Sequence, residues 1–445
     1  MFKKFLKNTS LASRVSFSSI ASNSYSGPKA FKVLCVGAGS GGISAASFFA
    51  DKLQDKQVGI IEPSQMHYQQ PMWTLVGGGM KSFNETRARM ADVIPKKATW
   101  IQNSVASIEP QNNFVVLSDG SVIKYEHLIL APGIQLDFQA IEGLSESLGK
   151  DGVCTVYSDK YVEKTWEFIK NFKKGGKAIF TMPSTPIKCP GAPQKIAYLA
   201  ENWFRDLKTR ETSTLSYYTG IGKIFGIDKY ADSMWEVSKS RNIDVNLLHD
   251  LVSVDPISKV ATFKILGSGP DAGKHVKKEY DFLHVTPKMK PVDFLKNSSV
   301  VNAAGFVDVN NGTLQHNKYD NVYAIGDCNS APTSKTAAAA CVQAYVVKNN
   351  LFNKITNNTN FSPLSYNGYT SCPLITGKDS VVLAEFSGYS GKPIETFFYN
   401  QARESKFSYW MTADVLPQVY WNMLTAGKWN GPLKIRKFLN PLNIN

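Results

Sequence analysis

Residues 30–62, AFKVLCVGAGSGGISAASFFADKLQDKQVGIIE, decide the fold. Ala30–Val36 is a short apolar run ending at a glycine, the pattern of a buried strand. Residues 43–53 read as a helix, and Val58–Ile61 as a second strand. This is a βαβ unit of the expected length. Gly37, Gly39 and Gly42 form G-x-G-x-x-G between the first strand and the helix. Gly37 permits the tight turn, Gly39 lets backbone approach a pyrophosphate, and Gly42 lets helix and strand pack closely. The helix N-terminus favours phosphate charge. Glu62 ends the second strand, where its carboxylate can accept hydrogen bonds from ribose hydroxyls. Together these features predict a dinucleotide site.

Working outward, residues 100–130 are β-rich, and YEHLIL (125–130) runs into Ala131-Pro132-Gly133. A second α/β segment follows. Residues 160–173 and 193–207 look helical, and 177–181, 215–218 and 245–248 look like strands. Residues 268–278 look like a hairpin-like loop. The buried strand VYAI (322–325) leads to Gly326-Asp327 and a helix expected over 335–349. The expected fold class is α/β with two Rossmann-like domains. The first is discontinuous, 28–150 with 286–357. The second is 151–285, and a C-terminal region covers 358–445. The chain has 445 residues and is 43% apolar, enough for a sizeable core.

Six cysteines form no C-x-x-C pair and none has zinc-ligand spacing, so no metal site is expected. The strand at 177–181 is followed by MPSTPIKCPGAP (182–193) in place of a second glycine motif. Prolines lack N–H groups and build no phosphate cradle, so a pyridine nucleotide is not expected there. Cys189 precedes the helix at 193–207, flanked by Lys188 and Lys195. Cations and a helix N-terminus lower a thiol pKa, which makes Cys189 a redox candidate. Cys372 lies in YTSCPL, read as a loop beside a proline. Cys35 and Cys341 read as small core residues, Cys328 as a residue lining the site, and Cys154 stays ambiguous.

YEHLILAPG and NVYAIGDC, taken with the N-terminal glycines, resemble the flavoprotein disulfide-reductase superfamily. The resemblance implies FAD, with Asp327 on its ribityl or phosphate portion. The helix start at Lys335, Thr336, Ala337 and Ala338 would face the isoalloxazine ring. Ser40 and Gly41 complete the phosphate loop. The C-x-x-x-x-C pair of glutathione-reductase-type enzymes is absent from the N-terminal helix. The segments VGAGSGGIS, HYQQPMWTLVGGG, TMPSTPIKCPGAPQK, AIGDCNSAPTSKTAAA and GYTSCPLITG are similar to those of mitochondrial-type sulfide:quinone oxidoreductases. That likeness implies a glutathione-reductase-type fold, catalytic cysteines at Cys189 and Cys372, and FAD neighbours at Gln70 and Val105. It also implies hydrogen sulfide as substrate, membrane ubiquinone as electron acceptor, and sulfite or glutathione as acceptor of the sulfane sulfur. The competing readings are a flavocytochrome-type sulfide dehydrogenase and a non-catalytic FAD-binding scaffold.

The formal charge of +14 is unevenly placed. Lys3, Lys4, Lys7, Arg14, Lys29 and Lys32 precede the first acid, Asp51, and Lys428, Lys434, Arg436 and Lys437 follow the last, Asp414. The serine-rich, acid-free leader reads as a mitochondrial transit peptide over 1–27. At the other end, Val415, Leu416, Val419, Tyr420, Met423 and Leu424 recur at helical spacing beside Trp421. With the cations, this suits a monotopic contact with a membrane surface, here the mitochondrial inner membrane. No motif supports a nucleic-acid partner, and a homodimer is left open.

Overall fold

The computed structural model describes residues 24–441, so the expected transit peptide lies almost wholly outside the described residues. The first sheet runs in the order Thr99–Ile101, Val58–Ile61, Ala30–Val36, Val122–Leu130, Phe114–Leu117, Val105–Glu109, and Val322–Ala324 also pairs with Val122–Leu130. Val36 pairs with both Ile61 and Leu130, and Leu130 with Ala324, all in parallel. The register therefore brings the carboxyl ends of four strands to one edge. From that edge emerge Gly37, Glu62, Ala131 and Gly326-Asp327, which are far apart in sequence. A crevice at such an edge is where open α/β sheets bind ligands.

Helix Ser40–Lys52 buries Ile43 and Phe49 with no exposure, worth about 1.5–3 kcal/mol per side chain. The long helix is Ala337–Ile355, rather than 335–349. Thr336 is extended and its hydroxyl accepts from the Ala339 N–H at 3.0 Å, so the helix starts after this cap.

The second sheet is all parallel: Val153–Cys154, Phe282–His284, Lys177–Met182, Thr214–Thr219, Asp244–Leu247. Helix Ala192–Asp206 follows the loop that leaves Met182. An antiparallel meander, His249–Asp255, Val260–Ile265 and His275–Glu279, sits beside it. The expected hairpin-like loop at 268–278 thus closes an antiparallel hairpin, with its last part in the strand His275–Glu279 paired to Val260–Ile265. We propose the division expected from the sequence along these two sheets.

Tyr369–Gly377 and Ser380–Ser387 form a hairpin packed on helices Ala192–Asp206 and Ala337–Ile355. Cys372 therefore lies within a strand, not a loop. Pro373 is tolerated because a two-stranded ladder has a free edge, where a missing N–H costs nothing. The C-terminal segment is helical over Lys406–Trp410, Met411–Val415, Leu416–Val419 and Tyr420–Leu424, with π turns on either side of Pro417. Proline cannot hydrogen-bond back, and the helix widens around it. Among the described residues no helix is long and apolar enough to cross a membrane.

Candidate active site

A cavity of about 660 Å³ opens at the carboxyl edge of the first sheet, within the roughly 300–1,000 Å³ usual for ligand sites. Gly37 has φ +92°, and a Cβ there would collide with the Ala131 carbonyl. A Cβ on Gly42 would collide with the Gly37 carbonyl, whereas at Gly39 it would meet nothing within 4 Å. The first and third glycines are thus required by packing, and the second leaves the loop open to a bound group. Glu62 accepts from the Ala38 N–H and the Ser64 N–H, each at 2.8 Å, which uses two of the roughly four acceptor positions of a carboxylate.

Gly326 has φ +79° and turns Asp327 into the cavity. Burial pushes the Asp327 carboxyl up, against the pull of Lys335 and Lys188. Lys335 donates to the Asp327 carbonyl at 2.5 Å and lies over the Phe306 ring at 4.1 Å. Lys188 donates to Gln70 Oε1 at 2.7 Å. Burial pulls both ammonium groups down. Of the sequence-predicted cofactor residues, Gly37, Gly39, Ser40, Gly41, Glu62, Gln70, Val105, Asp327, Lys335, Thr336 and Ala337 line the cavity. Gly42 and Ala338 do not: Gly42 packs helix on strand, and Ala338 is one residue past the helix start that faces the cavity.

This lining fits FAD. Backbone N–H groups at Ser40 and Gly41 suit the diphosphate, Glu62 a ribose, and Asp327 the ribityl chain. The start of Ala337–Ile355 suits a ring that gains negative charge. Trp73 also lines the cavity, and its buried Nε1 has no partner among the described residues, so an acceptor on a bound group would satisfy it.

The two candidate cysteines meet at one wall. Cys189 lines the cavity and has φ +50°, held there by its N–H donating to the Lys335 carbonyl at 2.6 Å. Tyr157 donates to the Cys189 carbonyl at 3.1 Å. Cys372 stands behind, 2% exposed, and hydrogen-bonds to Cys189. The neighbouring Cys372 thiol, together with Lys195, holds Cys189 well below the usual thiol range. The same contact, with burial, holds Cys372 well above it. Lys195 Nζ lies 3.5 Å from Cys189 Sγ. Of the two, Cys189 is thus the sulfur favoured as the anion, and it is seated at the N-terminus of Ala192–Asp206 beside Lys195. In a Rossmann unit that position holds a phosphate; here a lysine stands beside a cysteine sulfur instead.

Elsewhere the thiols are inert. Cys328 is buried and directed at the Leu130 carbonyl at 3.4 Å, so it does not line the cavity as expected. Cys35, Cys154 and Cys341 are buried, with burial pushing each up to about 12. The sequence reading missed Tyr157, Trp73 and His67 as lining residues; the last two stand in the HYQQPMW segment that carried the resemblance. Tyr157 had no such signal.

Residues 31–167 match the family model described as pyridine nucleotide-disulphide oxidoreductase. The chain is similar to the mitochondrial sulfide:quinone oxidoreductase of Mus musculus, 43% identical over 92% of this chain and 90% of that protein. The Schizosaccharomyces pombe protein of the same name is 38% identical over 90% of this chain and 91% of its own length. In fold the chain is similar to the sulfide:quinone oxidoreductase of Aquifex aeolicus, with TM-score 0.76, 17% identity and coverage of 93% and 95%. Identities of 43% and 38% with the Mus musculus and Schizosaccharomyces pombe proteins, across nearly the whole length of both chains, place the protein by descent as well as by fold, and it belongs to the mitochondrial sulfide:quinone oxidoreductase family.

Proposed function

We propose that the chain is an FAD-dependent enzyme that oxidises hydrogen sulfide and delivers the electrons to a membrane quinone, with Cys189 and Cys372 as its redox pair. The observation that carries this reading is Cys189 on the wall of a cavity fitted to a flavin, with Lys195 Nζ 3.5 Å from its sulfur and Cys372 buried behind it. The relatives' names supply the substrates and the mitochondrial setting.

In the oxidised enzyme Cys189 and Cys372 form a disulfide. Hydrosulfide attacks the Cys372 sulfur; the S–S bond breaks and Cys189 leaves as a thiolate. Cys372 then carries a persulfide. Cys189 is the better leaving group, because Lys195, 3.5 Å away, stabilises its anion. A thiophilic acceptor, sulfite or glutathione, removes the outer sulfur and leaves the Cys372 thiol. When the pair closes to the disulfide again, it releases two electrons and one proton. FAD, when bound, takes up those electrons and passes them to quinone. Cys189, on the cavity wall, is the sulfur that faces it.

The C-terminal segment splits the apolar stripe read from the sequence. Tyr420 and Leu424 are buried against Ile43 and Cys341, while Phe407, Trp410, Met423, Leu433, Ile435 and Phe438 are exposed near Lys434 and Lys437. The exposed apolar and basic side chains support contact with an anionic inner-membrane surface. Anaerobic addition of sulfide should bleach the flavin, and a short-chain quinone should restore it. Unchanged flavin absorbance would refute the activity. Persulfide captured on sulfite or glutathione distinguishes the two sulfur acceptors.

A further inference from the structure

We propose that Tyr420, on the C-terminal segment, is a positioning residue for the glycine loop that grips the flavin diphosphate. The proposal rests on the reading that FAD fills the cavity. Tyr420 is 380 residues from Ser40 in sequence, yet its hydroxyl stands 3.0 Å from Ser40 Oγ and 2.8 Å from His67 Nε2. His67 Nδ1 in turn lies 3.0 Å from the Ala38 carbonyl. Ala38 and Ser40 flank Gly39, the glycine that leaves the loop open.

The direction of this chain follows from its ends. A carbonyl only accepts, so His67 Nδ1 carries a proton and donates to Ala38. Burial holds the ring neutral, pulling its pKa to about 4, so Nε2 is an acceptor. Tyr420 must donate to Nε2, and its oxygen then receives the Ser40 hydroxyl proton. The Ser40 hydroxyl hydrogen is thereby turned away from the cavity. What the loop presents to an anion is backbone N–H groups, with the Ala38 carbonyl engaged by His67. Without the tyrosine hydroxyl, Nε2 is left buried and unpaired, and Ser40 is free to rotate.

The placement also joins two regions that perform different tasks. The segment that bears Tyr420 exposes Trp410 and Met423 on its outer side, while Tyr420 and Leu424 face inward. The π turn that begins at Tyr420 sets it inward together with Leu424. Seating of the C-terminal segment thus reports directly to the cofactor loop through one hydroxyl.

The test measures flavin release from purified holoenzyme by the rise in flavin fluorescence after dilution. Tyr420→Phe keeps the ring packing and removes only the hydroxyl. It should release FAD about tenfold faster, the usual scale for a buried acceptor left unpaired. Ser40→Ala added to Tyr420→Phe should cause little further change, because the two hydroxyls act as one chain. Leu424→Ala loosens the same segment without touching the chain and should change release by less than Tyr420→Phe. Release by Tyr420→Phe within about twofold of wild type overturns the proposal. So does release by Leu424→Ala as fast as by Tyr420→Phe, which would mean general loosening. A purified chain carrying no flavin overturns the cofactor reading and this inference together, whereas a flavin-bearing chain with unchanged release overturns only the inference.

Discussion

Replacing Gly191 by alanine tests the cysteine centre with one carbon atom. Gly191 precedes helix Ala192–Asp206 with φ −83° and ψ −12°, a conformation alanine adopts freely, so backbone strain is not at issue. The added Cβ would stand 2.7 Å from Leu374 Cδ2 and closer still to Cys372 Sγ. Carbon atoms pack at roughly 3.5–4.0 Å, so Leu374 and the thiol must each retreat by about 1 Å. A crowded core of this kind costs about 1–3 kcal/mol in stability. Chemistry should suffer more, because sulfur-to-sulfur attack needs defined geometry and about 1 Å of misplacement costs on the order of 100-fold in rate. Gly191 does not line the cavity, so flavin content should be unchanged. Stopped-flow bleaching of the flavin by sulfide is the assay, with thermal melting as the companion. Wild-type bleaching rates in a stably folded Gly191→Ala protein would refute the placement of Cys372 behind Gly191.

Cys189→Ser and Cys372→Ser should each retain FAD yet lose sulfide-dependent flavin reduction; reduction at normal rates in both would sink the two-cysteine scheme. Lys195→Met removes a cation from the Cys189 thiolate, so the thiol pKa rises and the acid limb of the sulfide reaction moves to higher pH; the pH profile of single-turnover reduction reads this. His67 is neutral in the fold, with its pKa pulled to about 4, but titrates near 6.5 when unfolded. The unfolded chain therefore binds the extra proton first, and stability present at pH 7 is lost as pH falls from about 6.5 to 4, by about 3 kcal/mol from this residue. Denaturant melts across that range should show a shallower loss in His67→Gln. Arg436, 2% exposed, faces the buried Glu385 at 3.7 Å and the Tyr369 ring at 4.8 Å. Arg436→Met leaves Glu385 without its buried counter-charge and should destabilise the protein by about 3 kcal/mol, read as a fall in melting temperature. Serine at Trp410, Met423 and Phe438 together should weaken flotation with anionic vesicles while flavin reduction by sulfide persists.

The residues that made the site legible in sequence were those whose chemistry depends on immediate neighbours. Gly37, Gly39 and Gly42 needed only the flanking strand and helix to be read as a phosphate loop. Asp327 was legible through the likeness of NVYAIGDC to the flavoprotein family. Cys189 announced itself through prolines, lysines and a missing glycine motif. Cys372 was recognised, but its setting was misread, since Pro373 looks like a break until the ladder is seen to have an unpaired side. The C-terminal stripe was read as one face, whereas packing against Ile43 and Cys341 divides it into an inner and an outer set.

By itself, then, the sequence determined the βαβ start, the dinucleotide-type glycine loop, the absence of a second glycine motif and the setting of Cys189 among prolines and lysines. Each rests on spacing within a few residues, where local geometry decides. Only the tertiary structure decided that Cys372 stands against Cys189, that Lys195 reaches the Cys189 sulfur, and that Tyr420 closes a hydrogen-bond chain with His67 and Ser40. Those contacts join residues up to 380 apart. Sheet register and helix packing set such distances, and no local pattern of side chains encodes them.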